Sequence, residues 1–171
     1  MITLDDIESV PFPPLGSKLN ILINYVHKDV GCFMACPVDN DALMEAQALT
    51  GRLETYAESA QPFRPSENEL CVAKWIGAFN FIYFLFQNSY CNVTFCSFSD
   101  ISVLINPFLI LDGCWYRGVC LELEGSDTFS IMFLEYGNVD SIKYPDIRPI
   151  TEDLIKVPAL SSMCLLHGKY V

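Results

Sequence analysis

The sequence predicts an α+β fold in which a small antiparallel β-barrel is attached to a partial subdomain with one helix. The first observation is a series of short alternating strands with tight turns between residues 68 and 150. The second is a strand–strand–helix pattern that precedes them, over residues 17–67. The third is a length of 171 residues with 51% hydrophobic content, which suffices for a packed core.

The region 17–67 supplies the hairpin and the helix. The segment 18–26, KLNILINYV, alternates apolar and polar residues and predicts a half-buried strand. After the turn HKD, the segment VGCFMACP predicts a second strand that forms a hairpin with the first. Asp39 or Asn40 can cap a helix that runs to about Ser59. One apolar stripe of this helix comprises Leu43, Ala46, Leu49, Leu53 and Tyr56.

The barrel strands follow a proline-containing linker, QPFRPSEN. A strand begins at LCVAKWI, over residues 70–76. Two further strands, CWYRGVCLEL and DTFSIMFLEY, are joined by a turn at residues 124–126, and a fourth short strand leads to an exit turn at Pro145. Residues 1–16 form an acidic N-terminal arm, which lacks the basic start and apolar run of a signal peptide.

Residues 77–111 interrupt the barrel pattern. They contain seven of the chain's 12 phenylalanines and one charged residue, Asp100, and they follow neither a helical nor a strand period. We interpret them as a retained intron, because translated T-rich and A-rich DNA has this composition. The alternatives are a genuine loop insertion, a buried hairpin, and a membrane anchor, although polar residues interrupt every window of about 20 residues.

Joining Ile76 to Asp112 restores a hairpin with an Asp-Gly turn. If residues 77–111 are instead part of the mature protein, Trp75 lies 40 residues before Trp115 in the sequence. Ile110 then takes the position ahead of the Trp-Tyr-Arg motif. That arrangement predicts that Trp75 is lost from any site that the barrel strands form together.

The bulk charge and the reactive side chains restrict the function. A net charge of −11 disfavours nucleic-acid backbones as the main ligand and suits a cationic partner. The eight cysteines form no CxxC motif and have no neighbouring histidine, which predicts free thiols in a reducing cytoplasm and no metal site. Glu135, Asp140 and Asp146 show no general-base or metal-ligand arrangement and are expected to face solvent. We predict no catalytic residues, no cofactor and no enzymatic activity.

Four short motifs follow one another across the joined segment. They are Cys71, Ala73, Lys74 and Trp75; Trp115, Tyr116 and Arg117; Phe133, Glu135, Tyr136, Gly137 and Asn138; and Ile147 and Arg148. This ordered set resembles the Tudor domain, with Glu135 where the family usually has aspartate. The hairpin and helix before it resemble the first half of the staphylococcal-nuclease-like scaffold of extended Tudor domains. Residues 151–171 resemble the start of its second half, which would make the chain a fragment of a longer module.

The resemblance implies a binding site. Its aromatic cage falls on Trp75, Tyr116, Phe133 and Tyr136, with Asn138 as a hydrogen-bonding amide, and it predicts that Phe133 and Tyr136 are exposed as cage walls. Trp115 is assigned to the core, on the face opposite Tyr116. The implied ligand is symmetrically dimethylated arginine in Arg-Gly or Arg-Ala-rich tails of Piwi-class Argonaute proteins. The implied setting is the perinuclear piRNA granule of germ cells, and the alternative is an interaction module with an impaired cage.

Overall fold

The computed structural model describes residues 1–8, 14, 21–27, 32–37, 40–76, 113–159 and 161–165. The strands within these ranges are β1 (Ile21–His27), β2 (Cys32–Pro37), β3 (Leu70–Lys74), β4 (Trp115–Leu123), β5 (Thr128–Phe133), β6 (Val139–Lys143), β7 (Ile147–Pro149) and β8 (Ser162–Leu165). The helices are α1 (Asn40–Ser59) and the short α2 (Glu152–Ile155). Two 3-10 turns lie at Leu4–Asp6 and Tyr144–Asp146.

Five strands form one antiparallel sheet in the order β6-β5-β4-β3-β7. The α+β prediction is confirmed, and the strands at 70–74, 115–123, 128–133 and 139–143 lie where the alternating patterns placed them. The predicted barrel does not close in the described part of the chain, because β6 and β7 end the hydrogen-bonded order without pairing to each other. A second helix, α2, adds to the single helix that the sequence predicted.

The β3–β4 hairpin forms although residues 77–112 separate its strands in the sequence. Lys74 pairs with Trp115, and the ladder continues without a shift to Leu70 and Val119. Beyond the strands, the Trp75 amide donates to the Cys114 carbonyl at 3.0 Å, and the Gly113 amide donates to the Trp75 carbonyl at 2.8 Å. The pairing expected from joining the two strands is therefore confirmed. The nature of residues 77–111 lies outside the described residues and stays an interpretation.

The two faces of the five-stranded sheet bury different sets of side chains. One face packs against α1, where Leu70, Val72, Trp115 and Val119 of the strands form one buried cluster with Leu49 and Leu53 of the helix. The other face collects Cys71, Ala73, Trp75, Tyr116, Cys120, Phe129, Ile131, Phe133, Ile142 and Ile147. Strand alternation explains the division, because successive side chains point to opposite faces. The assignment of Trp115 to the core, opposite Tyr116, is confirmed.

The predicted hairpin of residues 18–37 is also confirmed, and it belongs to a second sheet. Strands β1 and β2 pair from Ile21 with Pro37 to His27 with Cys32, with one irregularity between Ile23 and Tyr25. Strand β8 pairs with β2, so the order is β1-β2-β8. Helix α1 ends at Ser59 as predicted. Of its apolar stripe, the Leu43 and Ala46 side chains lie outside the described part, whereas Leu49 and Leu53 are buried.

The N-terminal arm contacts the five-stranded sheet. Thr3 forms an isolated antiparallel bridge with Glu69, and the Leu70 amide donates to the Ile2 carbonyl at 2.7 Å. The Ala159 amide donates to the Glu8 carbonyl at 2.7 Å. The arm thus joins the start of β3 to the segment after α2.

Candidate functional site

Four aromatic side chains from different parts of the chain meet on one face of the five-stranded sheet. Trp75 follows β3, Tyr116 lies on β4, Phe133 ends β5 and Tyr136 lies in the turn after β5. The Trp75 ring centroid lies 6.4 Å from that of Tyr116, 6.1 Å from Phe133 and 6.1 Å from Tyr136. Tyr116 meets Phe133 at 6.2 Å and Tyr136 at 5.2 Å, both edge to face. We call these four residues the aromatic box.

The box contains Trp75 despite the intervening residues 77–112. The prediction that those residues would remove Trp75 from the site is therefore wrong. The physical reason is the hairpin ladder, which fixes Trp75 opposite Cys114 regardless of the length of sequence between them. A long insertion in a turn leaves the register of the flanking strands unchanged when the ladder itself determines the register.

The walls of the box are more buried than predicted. Phe133, Tyr116 and Trp75 are 0%, 2% and 4% exposed, and Tyr136 is half-buried. The expectation that Phe133 is exposed is wrong, because it ends a strand whose side chain packs into the interior of the sheet face. Tyr136 is the wall closest to the solvent, since it lies in a turn rather than in a strand.

The two tyrosines of the box interact through their hydroxyl groups. Burial raises the pKa of the Tyr116 hydroxyl well above its ordinary value of 10.0, and the nearby Tyr136 raises it further. Burial also raises the pKa of Tyr136, while its hydrogen bond with Tyr116 acts in the opposite direction. Both rings therefore stay neutral at physiological pH, which preserves the negative π-faces that attract cations.

The turn after β5 presents both Tyr136 and Asn138. Gly137 has a φ of +75°, and its amide donates to the Phe133 carbonyl at 2.6 Å. The Phe133 amide donates to the Asn138 carbonyl at 2.9 Å, which closes the turn. The Asn138 residue is 7% exposed, and its side-chain Oδ1 is buried without a hydrogen-bond donor among the described residues. A buried amide oxygen without a partner is uncommon and suits an acceptor reserved for a ligand.

Arg117 holds this turn in place from the opposite face of the sheet. Its side chain is fully buried, and its Nε donates to Glu135 Oε1 at 2.6 Å. The remaining guanidinium nitrogens donate to the carbonyls of Leu154, Val157 and Pro158 at 3.2, 2.5 and 3.2 Å. The prediction that Glu135 faces solvent is therefore wrong, because its carboxylate pairs with the buried Arg117. The sequence signal was the Trp-Tyr-Arg motif, since an arginine inside a strand buried on both faces requires a carboxylate partner.

Asp140 also contributes to the box, although the sequence predicted that its side chain would face solvent. It is half-buried at the start of β6, and its Oδ2 accepts a hydrogen bond from Trp75 Nε1 at 2.9 Å. The available signal was the identity of Trp75, because a buried indole N–H requires an acceptor. Asp146 is half-buried in the turn that follows β6.

The three-stranded sheet approaches the box at Gly137. A Cβ atom built on Gly137 would lie 2.1 Å from Met34 Cγ and 2.9 Å from its Sδ. Cys36, two residues further along β2, lies close enough to Tyr136 for its thiol to raise the hydroxyl pKa. Met34 and Cys36, which point to the same side of β2, therefore flank the turn that carries Tyr136.

The rings of the box are in mutual contact. Trp75 and Tyr136 are the pair nearest to parallel, with an interplanar angle of 35° at 6.1 Å. A flat cation between two ring faces requires a separation of roughly 7–8 Å, which is twice the optimal carbon–carbon contact distance. Admission of a guanidinium group therefore requires the walls to separate by about 1–2 Å.

Other candidate chemistry is sparse in the part of the chain that the structure describes. No group of three or more histidine, cysteine, aspartate or glutamate side chains converges there in a way that could hold a metal ion. Within the same ranges, no helix is both long and apolar enough to cross a bilayer. The alternative in which residues 77–111 anchor the chain in a membrane concerns residues outside these ranges.

Comparison with known proteins identifies relatives of this architecture. Residues 109–168 match the model of the Tudor domain, which leaves β3 and Trp75 outside the match. Tudor domain-containing protein 1 of Danio rerio is 33% identical over 57 residues, which make up 33% of this chain and 5% of that protein. Protein vreteno of Drosophila melanogaster is 23% identical over 166 residues, covering 94% of this chain and 18% of that protein. The chain thus spans a small part of these relatives.

Solved structures share the fold. The extended Tudor domain TD3 from mouse TDRD1, in complex with a MILI peptide containing dimethylarginine 45, superposes with a TM-score of 0.65 at 18% identity. The superposition covers 93% of this chain and 64% of that chain. The extended Tudor domain from BmPAPI in complex with sDMA gives a TM-score of 0.62 at 13% identity, with 92% and 62% of the two chains covered. These likenesses establish the fold.

Proposed function

This chain carries a Tudor domain within the fold of the extended Tudor domains, and we propose that it is a non-enzymatic module that binds methylated arginine. The observation that carries the proposal is the aromatic box with the buried, donor-free Asn138 Oδ1 in the adjoining turn. Aromatic walls attract a cation through their π-faces and bury its methyl groups. An amide oxygen can accept a guanidinium N–H and orient its plane.

The proposed ligand is symmetrically dimethylated arginine in an Arg-Gly or Arg-Ala-rich tail. Dimethylation leaves the guanidinium charged and flat while it replaces hydrated N–H groups with apolar methyl groups, so the ligand gains from an aromatic enclosure. The net charge of −11 favours the approach of a basic tail, because complementary charge accelerates association. The superposed TDRD1 and BmPAPI domains, whose complexes contain dimethylarginine and sDMA, support this choice.

The proposed partners are Piwi-class Argonaute proteins, and the proposed role is to scaffold piRNA complexes in perinuclear granules of germ cells. Support comes from the superposition on Drosophila Papi in complex with a Piwi N-terminal R10me2s peptide, with a TM-score of 0.58 at 14% identity over 87% of this chain and 60% of that chain. A methylation-dependent association in germ-cell extract, lost when arginine methylation is blocked, is the expected result.

The direct test is a calorimetric titration of the full chain with one peptide in three forms: symmetrically dimethylated, asymmetrically dimethylated and unmethylated. The symmetric form is expected to bind most tightly. Tyr136→Ala is expected to weaken it by about 1–2 kcal/mol, roughly five- to thirtyfold, because one wall of the box is lost. Tyr25→Ala removes a tyrosine that is exposed on β1 and serves as the matched control. Equal binding by wild type and Tyr136→Ala contradicts the box assignment.

A second function is favoured by the contact between the rings. A box whose walls already touch is also consistent with an interaction module that holds the aromatics as core and binds an unmethylated partner. This alternative predicts equal affinity for methylated and unmethylated peptides. It also predicts that Tyr136→Ala lowers the free energy of unfolding without a selective loss of methylated peptide.

A further inference from the structure

We infer that Asp140 is the positioning residue of the box, which orients the Trp75 wall and supplies negative charge beside it. The role in ligand binding rests on the proposed function, whereas the orientation of Trp75 is a property of the protein without ligand. The geometry that carries it is a chain of two hydrogen bonds. The Ser141 amide donates to Asp140 Oδ1 at 2.8 Å, and Trp75 Nε1 donates to Oδ2 at 2.9 Å.

The first bond fixes the carboxylate. Asp140 lies on β6, where it pairs with Ile131, and the amide of the next residue holds one of its oxygens. The carboxylate is therefore tied to the backbone of a paired strand before it contacts the indole. A hydrogen-bonded carboxylate of this kind loses little further freedom when it accepts a second bond.

The second bond crosses the sheet. Trp75 follows β3 and Asp140 belongs to β6, and the order β6-β5-β4-β3 places two strands between them. In a flat sheet these strands would lie roughly 14 Å apart, so curvature of the sheet must bring the edge strand β6 towards the end of β3 on the side of the box. The indole of Trp75 extends from the end of β3 towards β6, and its N–H meets Asp140 there. The position of Asp140 therefore determines the orientation of the indole plane.

Trp75 requires such an anchor more than the other walls do. It is the last residue of the hairpin before the chain leaves for residues 77–112, and the next residue, Ile76, is 61% exposed. Tyr116 lies within a paired strand, and Phe133, the last residue of β5, is itself paired with Gly118. A wall at the end of a ladder has fewer backbone constraints, so a side-chain bond contributes more to its orientation.

The carboxylate also contributes charge. In the described part of the chain the ion pairs join Arg52 to Asp153, Arg64 to Asp127 and Arg117 to Glu135, and none includes Asp140. Its charge is thus not neutralised by an ion pair with a basic side chain of that part. A carboxylate bonded to a wall of the box lies within the range at which a bound cation is attracted.

Two substitutions separate orientation from charge. Asp140→Asn removes the charge and keeps one oxygen, which can accept the indole N–H in place of the Ser141 amide, whereas Asp140→Ala removes the charge and both acceptors. We expect Asp140→Asn to weaken a symmetrically dimethylated arginine peptide about threefold at low salt, with the difference from wild type vanishing at high salt. We expect Asp140→Ala to weaken it about tenfold, with most of the loss retained at high salt.

A double-mutant cycle tests whether Asp140 acts through Trp75. Trp75→Phe keeps an aromatic wall and removes the donor. In that background Asp140→Ala is expected to cost only the roughly threefold charge effect, because the orienting bond is already absent. Glu122→Gln is the matched control for charge. Glu122 is exposed on β4, six residues or about 20 Å along the strand from Tyr116.

A spectroscopic readout is independent of any peptide. In a Trp115→Phe background the fluorescence reports Trp75 alone, and Asp140→Ala is expected to shift its emission to longer wavelength, whereas Asp140→Asn is expected to shift it less. An unchanged spectrum in Asp140→Ala overturns the positioning role. Binding by Asp140→Ala equal to that of Glu122→Gln, or an equal loss in the Trp75→Phe background, overturns the role in ligand binding. If the Asp140→Ala emission shifts as expected but the wild-type chain binds methylated and unmethylated peptides equally, the proposed function alone is overturned.

Discussion

Arg117 and Glu135 form a buried ion pair, with Nε and Oε1 separated by 2.6 Å, beneath the turn that carries Tyr136 and Asn138. The arginine also donates to three carbonyls around the end of α2. One side chain therefore joins β4, the turn after β5 and the segment after α2. The position of the turn depends on a group that lies on the opposite face of the sheet from the box.

Arg117→Ala is expected to lower the free energy of unfolding by about 3–5 kcal/mol, because it leaves the Glu135 carboxylate buried without its charge partner. Urea denaturation checks this value. Arg52→Ala is the control, since Arg52 pairs with Asp153 at 3.6 Å on an exposed surface and should contribute less than about 1 kcal/mol. Equal losses in the two variants would show that Arg117 is not a structural clamp.

Gly137→Ala is expected to destabilise the protein and reduce peptide affinity together. The residue adopts a φ of +75°, and an added Cβ would lie 2.1 Å from Met34 Cγ. Met34→Ala in the same chain removes the steric conflict but leaves the backbone strain. The double variant should therefore recover part of the thermal stability lost in Gly137→Ala. No recovery would indicate that backbone conformation alone excludes a side chain there.

Asn138→Ala is expected to reduce affinity for the methylated peptide about tenfold while it changes the free energy of unfolding by less than about 1 kcal/mol. The reason is that Asn138 Oδ1 has no donor within the described residues, so its removal costs the free protein no hydrogen bond at that atom. Parallel calorimetry and thermal denaturation measure the two quantities. A large loss of stability with unchanged affinity would assign the amide to the fold.

Stability is expected to fall at alkaline pH. Burial raises the pKa of Cys71 from 9.0 and that of Tyr116 from 10.0 in the folded state. Folding thus holds both groups neutral. Their contribution is fully present below the unfolded-state values, declines as pH rises above about 9–10, and is lost by the folded-state pKa. Tyr116→Phe should flatten the decline, as measured by the denaturation midpoint across this pH range.

Deletion of residues 77–111 is expected to preserve the fold and the box. The Gly113 amide already donates to the Trp75 carbonyl at 2.8 Å. Joining Ile76 to Asp112 would make that bond the closing i to i+3 bond of a β-turn. A shorter loop should raise the free energy of unfolding by about 2 kcal/mol. Denaturation and peptide titration of the shortened chain check this, and loss of peptide binding on deletion would show that the segment contributes to the site.

The sequence predicted the strands and α1 because each has a clear apolar period and is bounded by turn residues. Leu49 and Leu53 on α1 and the alternation of Trp115 with Tyr116 on β4 illustrate this. The same patterns predicted a closed barrel, which the described strands do not form. Closure depends on how far the edge strands coil towards each other, and the apolar–polar alternation within a single strand contains no information about that coiling.

The box residues were identifiable from their motifs, but their burial was not. A motif indicates which side chains converge, whereas the exposure of Phe133 depends on how tightly the neighbouring rings pack. The roles of Glu135 and Asp140 were missed for a related reason. Each carboxylate serves a partner that is distant in sequence, Arg117 or Trp75, and only the sheet order brings them together.

The hairpin that closes across residues 77–112 divides the box between two stretches of chain. Residues up to Ile76 supply one wall, Trp75, and residues from Gly113 onward supply the other three. The two stretches meet through strand pairs on both sides of β3, which joins β4 and β7. A chain cleaved within the intervening segment should therefore behave as two complementary halves. Neither half alone holds a complete site, and recovery of the proposed methylarginine binding after mixing would report reassembly.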